Sequence, residues 1–405
     1  MTIKLPANVR KIIDILVAGG FEAYAVGGCV RDSIISRIPG DWDITTSATP
    51  QQVKGLFRRT IDTGIEHGTV TVMLGGEGYE VTTYRIDGEY KDGRHPECVE
   101  FTASLREDLK RRDFTINAMA YNDKDGIVDE FEGMKDLEAK VIRCVGDATE
   151  RFSEDALRML RAVRFSAQLG FTIEGNTAQA IEELAPTIAK VSKERIHTEF
   201  GKTLLSDRPE YILRTVELGL AQYAFEEFCE ADHPLAMELV RRVRKDLGFR
   251  YAAMLSGLDE QKIMNALRKL KLDNATIKKA GFLTEFVSTP ATDDVVTIRH
   301  LASRYSVLQV YDGIEYAIEY NRVLGKMETA DILMKEKSIL DKIVERGDCL
   351  DIKNLAIKGS DLKELGINPG RMMGETLKNC LEYVLCNPEY NTARDLIEYV
   401  KRTSS

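Results

Sequence analysis

Two aspartates, Asp41 and Asp43, stand in the pentapeptide Gly40-Asp41-Trp42-Asp43-Ile44. On an extended segment alternate side chains point the same way, so the two carboxylates share one side while Trp42 and Ile44 face a core. Carboxylates held that close repel each other unless a cation lies between them. Hard oxygen donors of this kind suit Mg²⁺ bound partly through substrate phosphates. The same spacing on a solvent-exposed strand would be two surface aspartates. Upstream, Gly27-Gly28-Cys29-Val30-Arg31-Asp32 closes a strand and opens a helix. That junction offers unpaired backbone N–H groups and a positive dipole end to a phosphate, and Arg31 adds a charged donor. A lone Gly-Gly before a helix is an ordinary turn; Gly-Gly-x-x-Arg-Asp followed nine residues later by Asp-x-Asp sets a triphosphate cradle beside a metal site. No Gly-x-x-x-x-Gly-Lys-Ser/Thr loop occurs, which argues against P-loop ATPase chemistry.

The elements that must hold these groups read as mixed α/β over residues 1–143. An amphipathic opening (Val9, Ile12, Ile13, Leu16, Val17) ends at Gly19-Gly20, and Ala23–Val26 reads as a strand. Val30, Ile34, Ile35 and Ile38 follow at helical spacing. Thr69–Leu74 and Tyr79–Tyr84 flank Gly75-Gly76-Glu77-Gly78 as a hairpin, and Cys98–Thr102 reads as another strand. Beyond Glu150 strand signals nearly vanish. Phe152–Phe165, Ala178–Leu184, Pro209–Leu218 and Leu235–Leu247 carry apolar residues at helical spacing, and the C-terminal third is helical with breaks at Gly359-Ser360 and Gly366–Gly370. Turn clusters at Ser206–Pro209 and Ser288–Pro290 mark candidate boundaries. The fold class is α+β: a small sheet domain, then a long helical remainder.

The 405 residues allow two to four domains at ~100–200 residues each. With 43% hydrophobic and 30% charged residues, collagen-like and wholly disordered chains are excluded. Ile12–Ala18, interrupted by Asp14, falls far short of the ~18 apolar residues of a membrane span. The N-terminus lacks a signal-peptide pattern, so a cytoplasmic protein is expected. Seven cysteines are scattered without Cys-x-x-Cys spacing and read as buried free thiols; five histidines (67, 95, 197, 233, 300) are isolated in sequence. The net charge is −9, yet Arg241 to Lys279 holds eleven basic residues against four acidic ones. An acidic protein with one basic stretch can bind a polyanion at one place; a solvated helix face would look the same.

The front motif, Gly27-Gly28-x-x-Arg31-Asp32 … Gly40-Asp41-x-Asp43-Ile44-Thr45-Thr46-Ser47-Ala48-x-Pro50, resembles the first motif of the class II tRNA nucleotidyltransferase and bacterial poly(A) polymerase family. Four more segments fit in order: Arg111–Ala120, Arg151–Phe165, Ser192–Ile196, and Gly359-Ser360-Asp361-Leu362 with Pro369-Gly370 and Gly374. The resemblance spans nearly the whole chain. It implies a polymerase-β-like nucleotidyltransferase head (1–143), a helical neck (144–206), a tRNA-binding body (207–304) and a tRNA-binding tail (305–405).

It further implies template-independent addition of CCA to tRNA lacking part or all of that end, from CTP and ATP, with pyrophosphate release. Asp41 and Asp43 would hold two Mg²⁺ ions. Glu80, sharing a strand face with Thr82 and Tyr84, resembles the family's third carboxylate or is a cross-strand surface residue. Nucleotide contacts fall on Gly28, Arg31, Arg112, Asp113, Asn117, Asp155, Arg158, Arg161 and Arg164. Arg112, Asp113 and Asn117 resemble the ribose-recognition set, Asp113 and Asn117 reaching one sugar edge as i, i+4 neighbours on a helix; Asp113 is alternatively the cap of a helix begun at Phe114–Ala120. Asp155 and Arg158, at i and i+3 on one helix face, would accept from and donate to cytosine or adenine, or form a surface ion pair. Arg241, Arg242, Arg244 and Lys245 would contact tRNA phosphates. The loop Tyr84–Pro96 points to complete CCA addition, with His95 where an arginine often stands. The family's metal-dependent phosphohydrolase domain is not expected, and His197 reads as structural. Rivals are an enzyme limited to A addition or polyadenylation, and a non-catalytic tRNA-binding protein that kept the fold.

Overall fold

Alternating valines and threonines make the head's central hairpin. In the computed structural model, which describes residues 2–88 and 99–403, Thr69–Leu74 and Glu77–Thr83 pair antiparallel with Val70 opposite Val81. Val70, Val72 and Val81 are buried while the threonines between them are less so. The turn is shorter than the sequence suggested: Gly75 and Gly76, at φ +63° and +87°, make it alone, in a conformation that glycine adopts freely.

The head strands, in chain order, are β1 (Ala23–Val26), β2 (Ile44–Thr46), β3 (Thr60–Gly64), β4 (Thr69–Leu74), β5 (Glu77–Thr83), β6 (Arg85–Asp87), β7 (Val99–Phe101), β8 (Met119–Asn122) and β9 (Gly126–Asp129). Seven form one mixed sheet in the order β3-β4-β5-β2-β1-β8-β9, and β6 pairs with β7 separately. Helix Ala7–Ala18 covers the sheet with Val9, Ile12, Ile13 and Leu16, its apolar stripe at the 3.6-residue period.

Several local readings change, among them the helical run Leu235–Leu247, which ends at Arg242 with Val243 extended before the next helix opens at Leu247. The helical start at Phe114–Ala120 is one 3₁₀ turn, Thr115–Asn117, and the chain then enters β8. β1 and β9 flank β8, and all four of its residues are buried, so ladder bonds and burial override local helix preference. The helix after Gly27 stops at Ile34, leaving Ile38 96% exposed. The run Phe152–Phe165 breaks into helices Ala148–Glu154 and Leu157–Leu169, with Asp155 extended between them at φ −145°, ψ 101°.

The chain forms two compact units. One comprises Met1–Glu230 with Arg268–Leu272, the other Ala231–Leu267 with Asp273–Ser405. The second is helical. Its cores gather Ile298, Val310, Ile314, Leu340 and Ile343 in one cluster, and Ile357, Leu362, Cys380, Val384 and Leu396 in another. A Cβ on Gly313 would come within 2.5 Å of the Phe286 ring, so two helices meet there at glycine distance. Among the described residues no helix is long and apolar enough to cross a membrane. Of the free thiols described, Cys29, Cys144, Cys349 and Cys380 are buried as the sequence suggested, whereas Cys229 and Cys386 are exposed.

Candidate active site

β2 and β5 run parallel with Ile44 opposite Val81; Glu80, on β5, and Asp43, in the segment leading into β2, each stand one position before that pair. Neighbouring strands lie about 4.8 Å apart. Asp41, Trp42, Asp43 and Glu80 line one cleft of about 700 Å³, together with Pro6, Gly40 and Glu77 to Tyr79. Ile44 faces the core as expected, but Trp42 is only half-buried and lines the cleft, because Asp41 to Asp43 precede β2 without strand geometry. The segment is tied to β1 through Val26 N–H, which donates to the Asp43 carbonyl at 3.0 Å.

The carboxylates feel one another. Packing around Asp43 pushes its carboxyl above the usual range, Arg112 pulls it down, and Asp41 raises it further. Glu80 is raised by burial and then by Asp43 and Asp41. This mutual repulsion, in an all-oxygen donor set, fits a divalent cation. The three do not gather within 4.8 Å of one another, so no closed three-carboxylate chelate is formed.

Beside this cleft the Gly27-Gly28 turn takes φ +82° at Gly27, where an added Cβ would approach Arg112 Nη1 to 3.1 Å. Arg112 Nη2 donates to Asp108 at 3.3 Å, and its buried Nε has no hydrogen-bond acceptor among the described residues. Asp108 is fully buried. Burial raises its carboxyl, but Arg111 and Arg112 outweigh that and hold it below the ordinary range.

Arg31, Asn117, Asp113 and Arg161 form one connected chain. Arg31 Nη1 donates to Asn117 Oδ1 at 2.5 Å, and Asn117 Nδ2 donates to Asp113 Oδ1 at 3.1 Å. The i, i+4 pair therefore meets although no helix joins it. Arg161 donates to the other Asp113 oxygen, and the Phe114 N–H to Oδ1 at 2.9 Å. The guanidiniums of Arg31, Arg161 and Arg164 lie 5.1, 5.4 and 4.0 Å from the Phe165 ring centroid. Arg164 is buried and donates to Glu199 at 2.5 Å.

Asp155 and Arg158 do not lie within one helix, since the break falls at Asp155, although the Arg158 N–H donates to the Asp155 carbonyl at 3.0 Å. The Asp155 carboxylate accepts from the Leu157 N–H at 3.1 Å, satisfying an open donor of the next helix, and from Arg195 at 2.8 Å. Arg158 donates to Glu154 at 2.5 Å and to the carbonyls of Arg151 and Arg111. Sequence reasoning gave no role to Glu154 or Arg195, although both lie in its motifs. Glu154 had a signal, standing three residues from Arg151 and four from Arg158, both of which it bridges; Arg195 lay inside a quoted motif but forty positions away.

The basic stretch is partly spent inside its own unit. Arg241 and Arg242 share Glu238 at 3.6 and 2.7 Å. Arg244 pairs with Asp312 and with Glu315 at 3.3 Å and lies over the Phe249 ring at 4.1 Å. Lys279 bonds Asp246 at 3.0 Å. The loop Tyr84–Pro96 falls largely on residues 89–98, outside the described residues.

A sheet of this order, carrying Asp-x-Asp before one strand and a register-matched glutamate on the next, defines a nucleotidyltransferase head. Residues 23–143 match the model described as "Poly A polymerase head domain". Residues 170–232 match "Probable RNA and SrmB- binding site of polymerase A", and residues 250–400 match "tRNA nucleotidyltransferase domain 2". The chain is 38% identical to the CCA-adding enzyme of Lactiplantibacillus plantarum over 98% of its length and 97% of the relative's. It is 39% identical to that of Latilactobacillus sakei over 98% of both. The Bacillus stearothermophilus CCA-adding enzyme, solved in complex with CTP, superposes with a TM-score of 0.79 at 32% identity, covering 99% of each chain. The chain belongs to the CCA-adding enzyme family of tRNA nucleotidyltransferases.

Proposed function

We propose that this chain adds CCA to the 3′ end of tRNA lacking part or all of it, using CTP and ATP and releasing pyrophosphate. The register match of Asp43 with Glu80 beside Asp41 carries the reading, because it is where a nucleotide triphosphate and a 3′-hydroxyl can meet a divalent cation. Divalent-metal dependence goes with the family. Asp41 and Asp43, with Glu80 across the cleft, would hold two Mg²⁺ ions, which when bound ease ionisation of the hydroxyl and neutralise the departing pyrophosphate.

The remaining residues bind and choose. Gly28 N–H and the open Arg112 Nε serve the nucleotide's phosphates and sugar. Arg31, Asp113 and Asn117 form the ribose side; Arg161 acts through Asp113, and Arg164 through Phe165. Asp155 accepts from the exocyclic amine and Arg158 donates to the neighbouring ring acceptor. Cytosine and adenine carry both in that order; uracil and guanine reverse it. Residues 144–206 then serve as neck, and 207–304 and 305–405 as tRNA-binding body and tail, with Arg241, Arg242 and Lys245 facing phosphates and Arg244 held within its own unit by Asp312 and Glu315. The site of action is cytoplasmic.

The test is to incubate the full chain with tRNA ending at its discriminator base, Mg²⁺ and nucleotides, and to sequence the 3′ ends. CTP alone should give CC ends and both nucleotides CCA. Ends extended only by A, or no extension, would overturn the reading.

A further inference from the structure

Helix Val295–Tyr305 and helix Arg371–Cys386 of the second unit bring together three side chains that the nucleotidyl transfer does not use. His300, Glu382 and Cys386 present one nitrogen, one oxygen and one sulfur, all within 4.8 Å of one another. Glu382 and Cys386 stand four apart and so occupy one face of their helix. We propose that His300, Glu382 and Cys386 bind a borderline-soft divalent cation of the zinc class, fastening these two helices of the second unit.

The donor set argues for the metal class. Thiolate with imidazole favours zinc over Mg²⁺ or Ca²⁺, which take oxygen ligands. Three protein ligands leave a fourth tetrahedral position for water. The imidazole is already set for the task. Its Nδ1 lies 2.8 Å from the Val296 carbonyl, which accepts the Nδ1–H and leaves Nε2 facing the other donors. Metal-bound histidines are oriented by the same kind of carbonyl contact. Nε2 now lies 2.6 Å from Glu382 Oε1, an arrangement that needs a proton between them, and the cation would take that proton's place. Tetrahedral zinc spaces its ligand atoms roughly 3.3–3.7 Å apart. Opening the pair to that distance needs only rotation of the exposed Glu382 side chain.

The scaffold is braced independently of the ligands. Arg299, next to His300 and almost wholly buried, donates to the Leu385 carbonyl at 3.2 Å and to Asp348 at 2.7 Å. Leu385 precedes Cys386, so one guanidinium fixes both backbones at the positions that carry the ligands. Cys386 is exposed, as a metal entering from solvent requires.

Cobalt titration of the full chain, stripped with chelator and kept in excess Mg²⁺, tests this. One equivalent of Co²⁺ should give a thiolate-to-cobalt charge-transfer band and tetrahedral visible bands, both displaced by Zn²⁺. The carboxylate cleft has no thiolate and cannot produce the first. Cys386→Ser should abolish that band, Cys229→Ser should leave it, and His300→Asn or Glu382→Gln should each weaken cobalt binding at least ~10-fold. In the unsubstituted protein Zn²⁺ should protect Cys386 from alkylation, read by peptide mass. No thiolate band, a band that persists in Cys386→Ser, or unprotected alkylation would overturn the site.

Discussion

Asp113 and Arg161, forty-eight positions apart, meet through one carboxylate oxygen: Arg161 Nε and Nη2 both reach Asp113 Oδ2, at 2.7 and 2.6 Å. Burial alone would raise this carboxyl, but Arg161, the Asn117 amide and Arg158 hold it down at about 2. A carboxyl lowered from 3.8 contributes stability that is complete above pH 4 and lost as pH falls towards 2, about 2 kcal/mol here. Arg161→Met should cost about 3 kcal/mol at pH 7 by stranding a buried charge, and the gap from wild type should narrow below pH 4 as Asp113 protonates. Urea midpoints at pH 7 and pH 3 check this; an equal gap at both would refute it.

Asp41→Ala or Asp43→Ala should lower CMP and AMP incorporation alike by ~10²-fold or more while tRNA affinity stays within twofold, since cation ligation serves the chemistry. Single-turnover rates set beside filter binding decide it.

Base choice should depend on the two carboxylate–arginine pairs flanking the helix break. Asp155→Ala with Arg158→Ala should drive the CTP-over-UTP ratio of kcat/KM towards unity, a loss of ~10–10²-fold, because a mismatched lone pair costs ~1–3 kcal/mol. Arg195→Ala and Glu154→Gln touch Asp155 and Arg158 only as supports, and each should give a partial loss of the same ratio. Equal slowing of all four nucleotides would assign these residues to structure alone.

The basic stretch divides into two tests. Arg241→Glu with Arg242→Glu should weaken tRNA binding and lower its log–log salt slope by about one for each phosphate no longer neutralised. Arg244→Ala should act on stability instead, costing ~1–3 kcal/mol, because it leaves the buried Asp312 short of a partner and uncovers Phe249. Thermal melts and salt-dependent binding separate the two.

Glu336 is 1% exposed and accepts only the Thr292 N–H among the described residues, at 3.2 Å. Burial lifts its carboxyl to about 7. Between pH 4.5 and 7 the unfolded chain ionises while the folded one keeps the proton, so this group lowers stability as pH rises. Glu336→Gln should stabilise the protein by about 1–3 kcal/mol at pH 8 and hardly at pH 4.5. Melting temperatures at the two pH values measure it.

Much of this was legible in the chain itself. The hairpin showed because valine and threonine alternate at period two around Gly75-Gly76, and the spacing of Asp41 and Asp43 was enough to single out two residues that line one cleft. The break at Asp155 was hidden, since Phe152, Met159 and Val163 keep helical spacing across it while the interruption is made by a side-chain cap and Arg195. β8 was hidden because its pairing partners, Ala25–Val26 and Gly126–Asp129, are remote or follow it. The internal pairing of Arg244 needs Asp312, sixty-eight positions on. No local pattern carries such contacts. The same holds for His300, isolated among its neighbours in sequence yet beside Glu382 in space.

The parallel pairing of β2 with β5 makes chain length, rather than residue identity, the guarded quantity between Gly76 and Glu80. Those few residues act as a ruler, with its zero at the glycine turn and Glu80 at its mark opposite Asp43. One inserted or deleted residue would swing Glu80 to the opposite face of the sheet and Val81 out of the core, so the segment should tolerate many spellings but a single length.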